Sequence, residues 1–363
     1  MKLSTPLAQT LGLAVPIFQA PMAGGPSSQE LVAACSAAGA LGSFGFAYTQ
    51  PAEMKTQSAW VRARTDRPFG INLFVAPQPA PVDVVHQSAA LAALGPWYAE
   101  MGLPPPAAAH PPYAPDLQAQ LAAVAEIRPR VFTVHLGDFP SERVKAMQQL
   151  GITVGGSATC VAEGRRVEQL GFDFVIAQGG EAGGHRGTYL RDPRDALTGT
   201  LALTRLMARA LRVPVVAAGG IMDGAGIAAV LALGAQGAQL GTAFIPCPES
   251  GAPEVHKKAV LGAREDDTRI TEKFSGRAAR GLANRFLREA EAKHFPQIAF
   301  PAQNNLTARL RAASAKAGNP DFCALWAGQA APLSRALPAA ELIDELQRET
   351  IAAIRQIASF LKE

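Results

Sequence analysis

Short β-like runs recur along this chain, each followed by glycine or a turn and then by a helical pattern, and this alternation limits the possible folds more than any other feature. Strand-then-helix units repeated in order build a parallel sheet with helices packed on it. The runs are IFQAPM at 17–22, LGSFGF at 41–46, FGINLF at 69–74, VFTVHL at 131–136, TVGGSA at 153–158, FVIAQG at 174–179, VPVVAAG at 213–219 and AQLGTAF at 238–244. Eight such units favour a (β/α)₈ TIM barrel over a doubly wound sheet, which more often has about five or six strands. The 363 residues suffice for one barrel carrying insertions.

Two segments break the rhythm. Between Val75 and Leu117 fall ten of the 28 prolines, together with His86, Trp97, Tyr98, His110 and Tyr113, more than a simple βα connection needs. Residues 246–330 form a second insertion of helical character. From Pro338 onward, Leu342, Leu346, Ile354, Ile357 and Leu361 recur at helical spacing, with Asp344, Glu345, Arg348, Arg355 and Lys362 on the other face. The expected division is a barrel over 1–245, a helical insertion over 246–330 covering the substrate pocket, and a C-terminal helix over 331–363 completing the barrel. Long insertions after barrel strands sit over the C-terminal mouth and shape that pocket.

Composition narrows the class. Hydrophobic residues make up 48% and charged residues 18%, which excludes a wholly disordered or fibrous chain. A net charge of +4, evenly spread, is too small for a nucleic-acid footprint. No apolar stretch is long enough for a membrane span, and LGLAVPIF near the N-terminus, interrupted by Pro16, is not read as a signal peptide. The four cysteines, Cys35, Cys160, Cys247 and Cys323, form no CxxC pair, so a reducing cytoplasm fits and neither disulfides nor zinc are expected.

Glycine-rich turns follow the last two strand-like runs, in VVAAGGIMDGAG and QLGTAF. Barrels hold phosphate at this place: Gly219 and Gly220 permit close backbone approach, the next helix offers free N–H groups, and Gly241 with Thr242 can close the cradle. A tight turn alone explains any one of these glycines, but two adjacent turns point to a phosphate-bearing ligand. Gly224, Gly226 and Ala229 satisfy G-x-G-x-x-A, yet no acidic residue follows a second strand at the distance a dinucleotide site requires. GGSAT at 155–159 has Thr159 where a nucleophile elbow needs glycine.

The sixth run continues into AQGGEAGGHRG at 177–187, bringing Gln178, Glu181, His185 and Arg186 to the catalytic end of a barrel. Gln178 offers a donor and an acceptor to a heteroaromatic edge, and Gly183 and Gly184 let the backbone approach a flat ligand. A flexible surface loop with solvated charges is the plainer alternative. Asn72, in GINLF, is a second amide at the same end, and a buried Asn needs partners.

The ordered strings QAPMAGG, PFGINLF, VHLG, AQGGEAGGHRG, AAGGI, GAQLGTAF followed by PES, FSGRAARG and LWAGQ resemble the class I nitronate monooxygenases, formerly 2-nitropropane dioxygenases. The resemblance spans most of the chain. It implies a barrel that binds FMN non-covalently and oxidises alkyl nitronates, typically propionate 3-nitronate, with O2 to a carbonyl compound and nitrite, without a pyridine nucleotide. By the same resemblance, FMN would lie against Ala20, Pro21 and Met22, with Asn72, Gln178, Gly183, Gly184 and His185 around it. Its phosphate would meet Gly219, Gly220 and the run Gln239, Leu240, Gly241 and Thr242.

His135, in VFTVHLGD, matches the family's active-site histidine beside flavin and substrate; a satisfied core histidine is the alternative. A neutral His135 would serve as base for a nitroalkane, a protonated one would stabilise an anionic nitronate. His185 is the competing candidate, because related barrel flavoenzymes place their catalytic histidine in a similar glycine-rich loop. His86, His110, His256 and His294 read as surface residues, and no pair of histidines is joined by a carboxylate at metal-ligand spacing. Arg277 and Arg280 suit either a cap or ion pair or a positive field for an anionic substrate. Trp326 and Gln329 read as pocket wall. Family members carry tyrosines near the substrate in the C-terminal insertion where this chain has Phe300, which leaves Tyr113 as a further pocket candidate.

The partners implied are a small anionic nitronate and O2. The enzymatic rival is an FMN-dependent NADH:quinone or enoyl-thioester reductase on the same barrel. A flavin-storing protein and, more distantly, a metal-dependent barrel hydrolase complete the alternatives.

Overall fold

In the computed structural model, which describes residues 3–76 and 82–361, eleven strands form two sheets. They are β1 (Ile17–Gln19), β2 (Gly42–Gly45), β3 (Phe69–Phe74), β4 (Val131–His135), β5 (Thr153–Ala158), β6 (Phe174–Gln178), β7 (Gly184–His185), β8 (Val215–Ala218), β9 (Gly237–Leu240), β10 (Thr268–Thr271) and β11 (Ala279–Leu282). The larger sheet is parallel, in the order β1-β9-β8-β6-β5-β4-β3-β2. Its ends meet at Phe18 and Leu41, where the Leu41 amide donates to Ile17 O and the Gln19 amide to Leu41 O, both at 2.9 Å. The sheet thus curls into the eight-stranded barrel that the alternating pattern announced, with helices around it.

The barrel strands are buried on both faces, so they read as nearly continuous apolar runs rather than alternating ones. Phe18, Leu41, Val131, Phe174 and Val216 fill the interior, and Leu7 and Leu11 of the helix Pro6–Leu11 close its N-terminal end. Gly155 and Gly237 make room for that filling. A Cβ would lie 2.3 Å from the Phe174 ring at the first and 2.6 Å from the Phe18 ring at the second. That packing accounts for glycines in strands whose propensity argues against them.

Several strands stop before the runs in the sequence do. After β9, residues Thr242–Phe244 wind into a 3₁₀ turn, with the Phe244 amide on Gly241 O, so the TAF end of AQLGTAF is not strand.

The insertion at 246–330 is not wholly helical. It contains the helices Glu254–Leu261, Arg285–Ala292 and Ala302–Lys316, but also the hairpin β10–β11, whose Thr268 and Ile270 supply β-branched side chains. β11 pairs antiparallel with β7, setting Ala279 opposite His185 and Arg280 opposite Gly184. The helix Val84–Glu100 of the first insertion packs on the second: Trp97 and Tyr98 join Phe274, Phe286, Phe295 and Leu306 in one apolar cluster. Trp97 Nε1 donates to Glu289 at 2.8 Å and Tyr98 Oη to Leu306 O at 2.5 Å. Pro77, Pro79 and Pro81 lie outside the described residues.

The C-terminal helix Ala339–Ala358 buries Leu342, Ile343 and Leu346 against the helices Gly224–Ala232 and Gln29–Ala37. Its second half runs past that contact, leaving Ile354 and Ile357 exposed despite their spacing. Among the described residues no helix is long and apolar enough to cross a membrane. All four cysteines are free and buried.

Candidate active site

A cavity of about 550 Å³ opens at the C-terminal ends of the barrel strands, between the barrel and the two insertions. The strand ends deliver its floor. Asn72 comes from β3, His135 from β4, Ser157 from β5, Gln178 from β6, Ala218 from β8 and Gln239 from β9. Each is at or near the last position of its strand, where a barrel puts functional side chains.

His135 and His185 face one another across this floor. His135 Nδ1 lies 2.7 Å from Ser157 Oγ and its Nε2 lies 3.3 Å from the backbone oxygen of His185. A carbonyl only accepts, so Nε2 carries the hydrogen; burial keeps the imidazole neutral, so Nδ1 accepts from Ser157, whose other acceptor, Val134 O, lies farther off at 3.4 Å. Burial pushes its pKa down to about 4, with Arg277 and Arg186 adding to the fall against the hydrogen bond to His185. Directly after it, Leu136 turns the chain through a left-handed φ of 72°.

His185 is set differently. Its Nε2 lies 2.9 Å from Ser275 Oγ, and that hydroxyl itself donates to Arg277 O at 3.1 Å. The serine therefore accepts from Nε2–H, and Nδ1 is left as a bare lone pair with no partner among the described residues. The rings of Phe300, Trp326 and Phe74 surround the imidazole at centroid distances of 5.4, 5.7 and 5.9 Å. Burial pushes its pKa down to about 3, helped by the neighbouring His135, Arg277 and Arg311.

The glycine-rich loop carrying His185 is clamped rather than flexible. Arg186 is fully buried and donates to the backbone oxygens of Gln178, Gly179 and Ala196 at 2.8–3.1 Å, holding the loop to the end of β6. Gln178 spends its amide on the same loop, Nε2 donating to His185 O at 3.0 Å and Oε1 accepting from the Gly187 amide at 2.7 Å. Buried Glu163 accepts from Thr159, Thr188, Tyr189 and Leu190. Burial raises its pKa, yet these hydrogen bonds outweigh burial and hold it below the usual carboxylate range.

Arg277 and Arg280 belong to the same clamp. Arg277 donates to the backbone oxygens of Arg186 and Thr188, and Arg280 to Gly180 O at 3.0 Å and Thr268 Oγ1 at 3.2 Å. Of the two readings left open for them, capping or a field for substrate, the hydrogen bonds support the first. Neither lines the cavity.

The turn after β8 and the end of β9 form the other side of the floor. Gly219 and Gly220 have φ of 120° and 69°, a conformation that favours glycine. Among the described residues the amides of Gly220, Ile221 and Thr242 make no hydrogen bond within the chain, while Thr242 Oγ1 accepts from the Gly328 amide at 2.9 Å. The helix that follows the turn does not offer its first amides, contrary to expectation. Glu349 takes the Gly224 amide at 2.9 Å and Asp223 the Gly226 amide at 2.8 Å. Gly224 of the G-x-G-x-x-A string serves packing: a Cβ there would lie 2.2 Å from the Thr350 amide of the C-terminal helix.

The residues present fit a flat cofactor with a phosphate. The Gln239 side chain and Asn72 Oδ1 have no partner among the described residues, Asn72 Nδ2 being held by Thr133 O and Oγ1 at 3.1 and 2.9 Å. Ala20, Pro21 and Met22 line the cavity beside Gly241 and Thr242, and Gly183 and Gly184 line it from the clamped loop. Leu240 instead buries its side chain in the core and gives its backbone oxygen to the Ala20 amide. Trp326 lines the cavity; Tyr113 packs at the edge of the inter-insertion cluster and Gln329 is exposed, and neither is part of the wall.

Ser157, His256, Tyr48 and Arg311 of the wall carried no functional reading from sequence. His256, expected at the surface, is buried with Nε2 3.0 Å from Trp326 O. Tyr48 and Arg311 also face the cavity. Asn304, Ala308, Arg311, Ala312 and Ala315 line it from one helix, and this run of small residues at helical spacing was the signal available for Arg311.

A family model described as nitronate monooxygenase matches residues 5–349 of the chain. The chain belongs to the nitronate monooxygenase family. It is 43% identical to the nitronate monooxygenase of Paraburkholderia phytofirmans, covering 98% of this chain and 97% of that protein. It is 44% identical to that of Pseudomonas aeruginosa, with coverages of 93% and 97%. The solved nitroalkane oxidase from Streptomyces ansochromogenes superposes with a TM-score of 0.89 at 40% identity, covering 96% of this chain and 99% of that one. FabK from Thermotoga maritima superposes with a TM-score of 0.79 at 26% identity, over 99% and 100%. The chain is thus an oxidoreductase of the nitronate monooxygenase family, built on a TIM-barrel-like fold.

Proposed function

We propose that the chain is an FMN-dependent monooxygenase that oxidises alkyl nitronates of the propionate 3-nitronate type with O2, giving a carbonyl compound and nitrite. The observation that carries this reading is a cavity in which residues that fit a phosphate-bearing flat cofactor meet a wall that, among the described residues, contains no carboxylate, so that an anion can enter without repulsion. FMN would be held by Asn72, Gln239 and the Ala20–Met22 segment along its rings, and by the Gly219–Gly220 turn with Gly241 and Thr242 at its phosphate. When bound, it supplies the two-electron acceptor and the centre that reacts with oxygen.

The protein positions substrate and handles protons. A nitronate is already deprotonated at the carbon that reacts, so its oxidation needs no base. A neutral nitroalkane does need one, and His185 Nδ1 is the unprotonated nitrogen open to the cavity. His135 then acts as a positioning residue: with Gln178 it holds the backbone oxygen of His185, and Ser157 fixes its tautomer. The aromatic rings about His185 exclude water from the reacting carbon.

Anaerobic mixing tests the reading. Propionate 3-nitronate should bleach the visible absorbance of the FMN-loaded protein, and NADH should not. Bleaching by NADH alone would move the chain to the reductase class.

A further inference from the structure

An indole carries one hydrogen-bond donor and no acceptor, and an indole withdrawn from water normally finds an acceptor for it. Trp97 follows that rule, its Nε1 donating to Glu289 at 2.8 Å. Trp326 does not. It is half-buried and lines the cavity, yet its Nε1 has no hydrogen-bond partner among the described residues. The sealed, partnerless side-chain atoms among the described residues are all hydroxyls, so this nitrogen is open to the space that its residue borders.

The indole is held in place before any ligand arrives. His256 Nε2 donates to Trp326 O at 3.0 Å, and a β-bridge ties Trp326 to Gly281. Gly281 lets the ring lie against β11, since a Cβ there would come within 2.9 Å of Trp326 Cε3. Cε3 belongs to the edge of the indole opposite Nε1, so this contact turns the donor edge away from β11. Phe274 meets the ring edge-on at a centroid distance of 5.8 Å, and His185 is its neighbour at 5.7 Å. A donor fixed in this way gives up little freedom when it binds.

Of the other rings near His185, Phe74 and Phe300 carry no donor, and His135 spends its Nε2 hydrogen on His185 O. We propose that the Trp326 indole N–H is the hydrogen-bond donor to a nitro oxygen of the substrate. This rests on the proposed nitronate activity, with His185 as the base for neutral nitroalkanes. As His185 Nδ1 takes the α proton, the C–H electron pair becomes the C=N bond and the negative charge settles on the nitro oxygens. The hydrogen bond from Trp326 strengthens as that charge builds, so it lowers the barrier to proton removal. A preformed nitronate brings the charge with it and loses it on oxidation. For that substrate the same donor tightens binding without speeding turnover.

The test compares nitroethane with ethyl nitronate in the wild-type and Trp326→Phe holoenzymes, the variant keeping an aromatic ring and losing the N–H. For nitroethane, kcat should fall roughly 10- to 100-fold. For ethyl nitronate, KM should rise about tenfold with kcat undiminished. Equal loss of kcat with both substrates, which a mere wall residue would give, overturns the assignment, and so does no change with either. Ultraviolet resonance Raman supplies a second readout, because an indole band reports hydrogen bonding at the N–H. With the flavin chemically reduced under anaerobic conditions, added ethyl nitronate binds without being oxidised. The indole band of the wild type should then move toward its hydrogen-bonded position, and Trp326→Phe should abolish the change. No change in the wild type overturns the assignment, a result that stands even if the variant fails to fold. If the wild type oxidises no nitronate but the band still moves through Trp326, the nitronate reading fails and the donor remains.

Discussion

Ser275 Oγ accepts the Nε2 hydrogen of His185 at 2.9 Å, and this contact leaves the other nitrogen of the imidazole free toward the cavity. The two residues lie ninety positions apart. They meet because the hairpin β10–β11 pairs with β7, so Ala279 stands opposite His185. Ser275→Ala removes the acceptor and lets the imidazole change tautomer. Turnover of a neutral nitroalkane should fall about tenfold, equivalent to about 1.4 kcal/mol, while nitronate turnover stays unchanged. Equal loss with both substrates would show that the serine only supports the fold.

His185→Asn should cut nitroalkane turnover by about 10²- to 10⁴-fold and leave nitronate oxidation largely intact, because only the nitroalkane needs a base. Parallel rates with a nitroalkane and its preformed nitronate check this. Full nitroalkane activity in the variant would remove the assignment.

His135→Asn tests positioning. The variant should lower kcat moderately with both substrates, and the pH profile for nitroalkane should shift, because the backbone oxygen of His185 loses one of its two side-chain donors. An unchanged profile with unchanged kcat would leave His135 a filler of the floor.

Acid should destabilise the protein before any carboxylate titrates. Burial holds His135, His185 and His256 at about 4, 3 and 4, whereas an unfolded histidine has a pKa of about 6.5. Below about pH 6.5 the unfolded chain binds protons that the folded chain refuses. Stability from these groups is therefore complete above about pH 7 and declines as pH falls toward 4, by at most about 1.4 kcal/mol per pH unit for each histidine. Thermal melts across this window should show Tm dropping with acid, and a smaller drop for His256→Gln, which keeps a donor for Trp326 O. A Tm flat from about pH 7 to pH 5 would contradict the neutral buried state.

Gly224→Ala should destabilise the fold by roughly 1–3 kcal/mol, since its Cβ would enter the backbone of the C-terminal helix. Gly226→Ala, whose nearest neighbour would be 3.4 Å away, should change Tm little. Similar Tm values for both variants would undo the packing explanation for Gly224.

The barrel was legible because strand-like runs such as FGINLF and TVGGSA carry their own pattern, and the structure places β3 and β5 on those residues. Asn72, His135, Gln178 and Gln239 were legible because they sit at strand ends, whereas Ser157 and Ala218 of the same floor were not picked out. What sequence withheld depends on contacts between distant segments. Gln178 offers a free amide on paper, but the fold turns it onto His185 and Gly187. His256 lies in an insertion yet packs under Trp326. The hairpin β10–β11 was hidden because short strands in an insertion owe their pairing to β7 rather than to local propensity. Arg311 was overlooked because its only signal is indirect, the small residues Ala308, Ala312 and Ala315 on its side of the helix, and the arginine itself has the same pattern whether it meets water or a cavity.

Oxygen uptake by the FMN-loaded protein given propionate 3-nitronate, with no pyridine nucleotide present and nitrite followed in the same sample, tests the central claim most directly. The account predicts rapid uptake accompanied by nitrite. Absence of uptake, with NADH oxidation once a quinone is added, would contradict it.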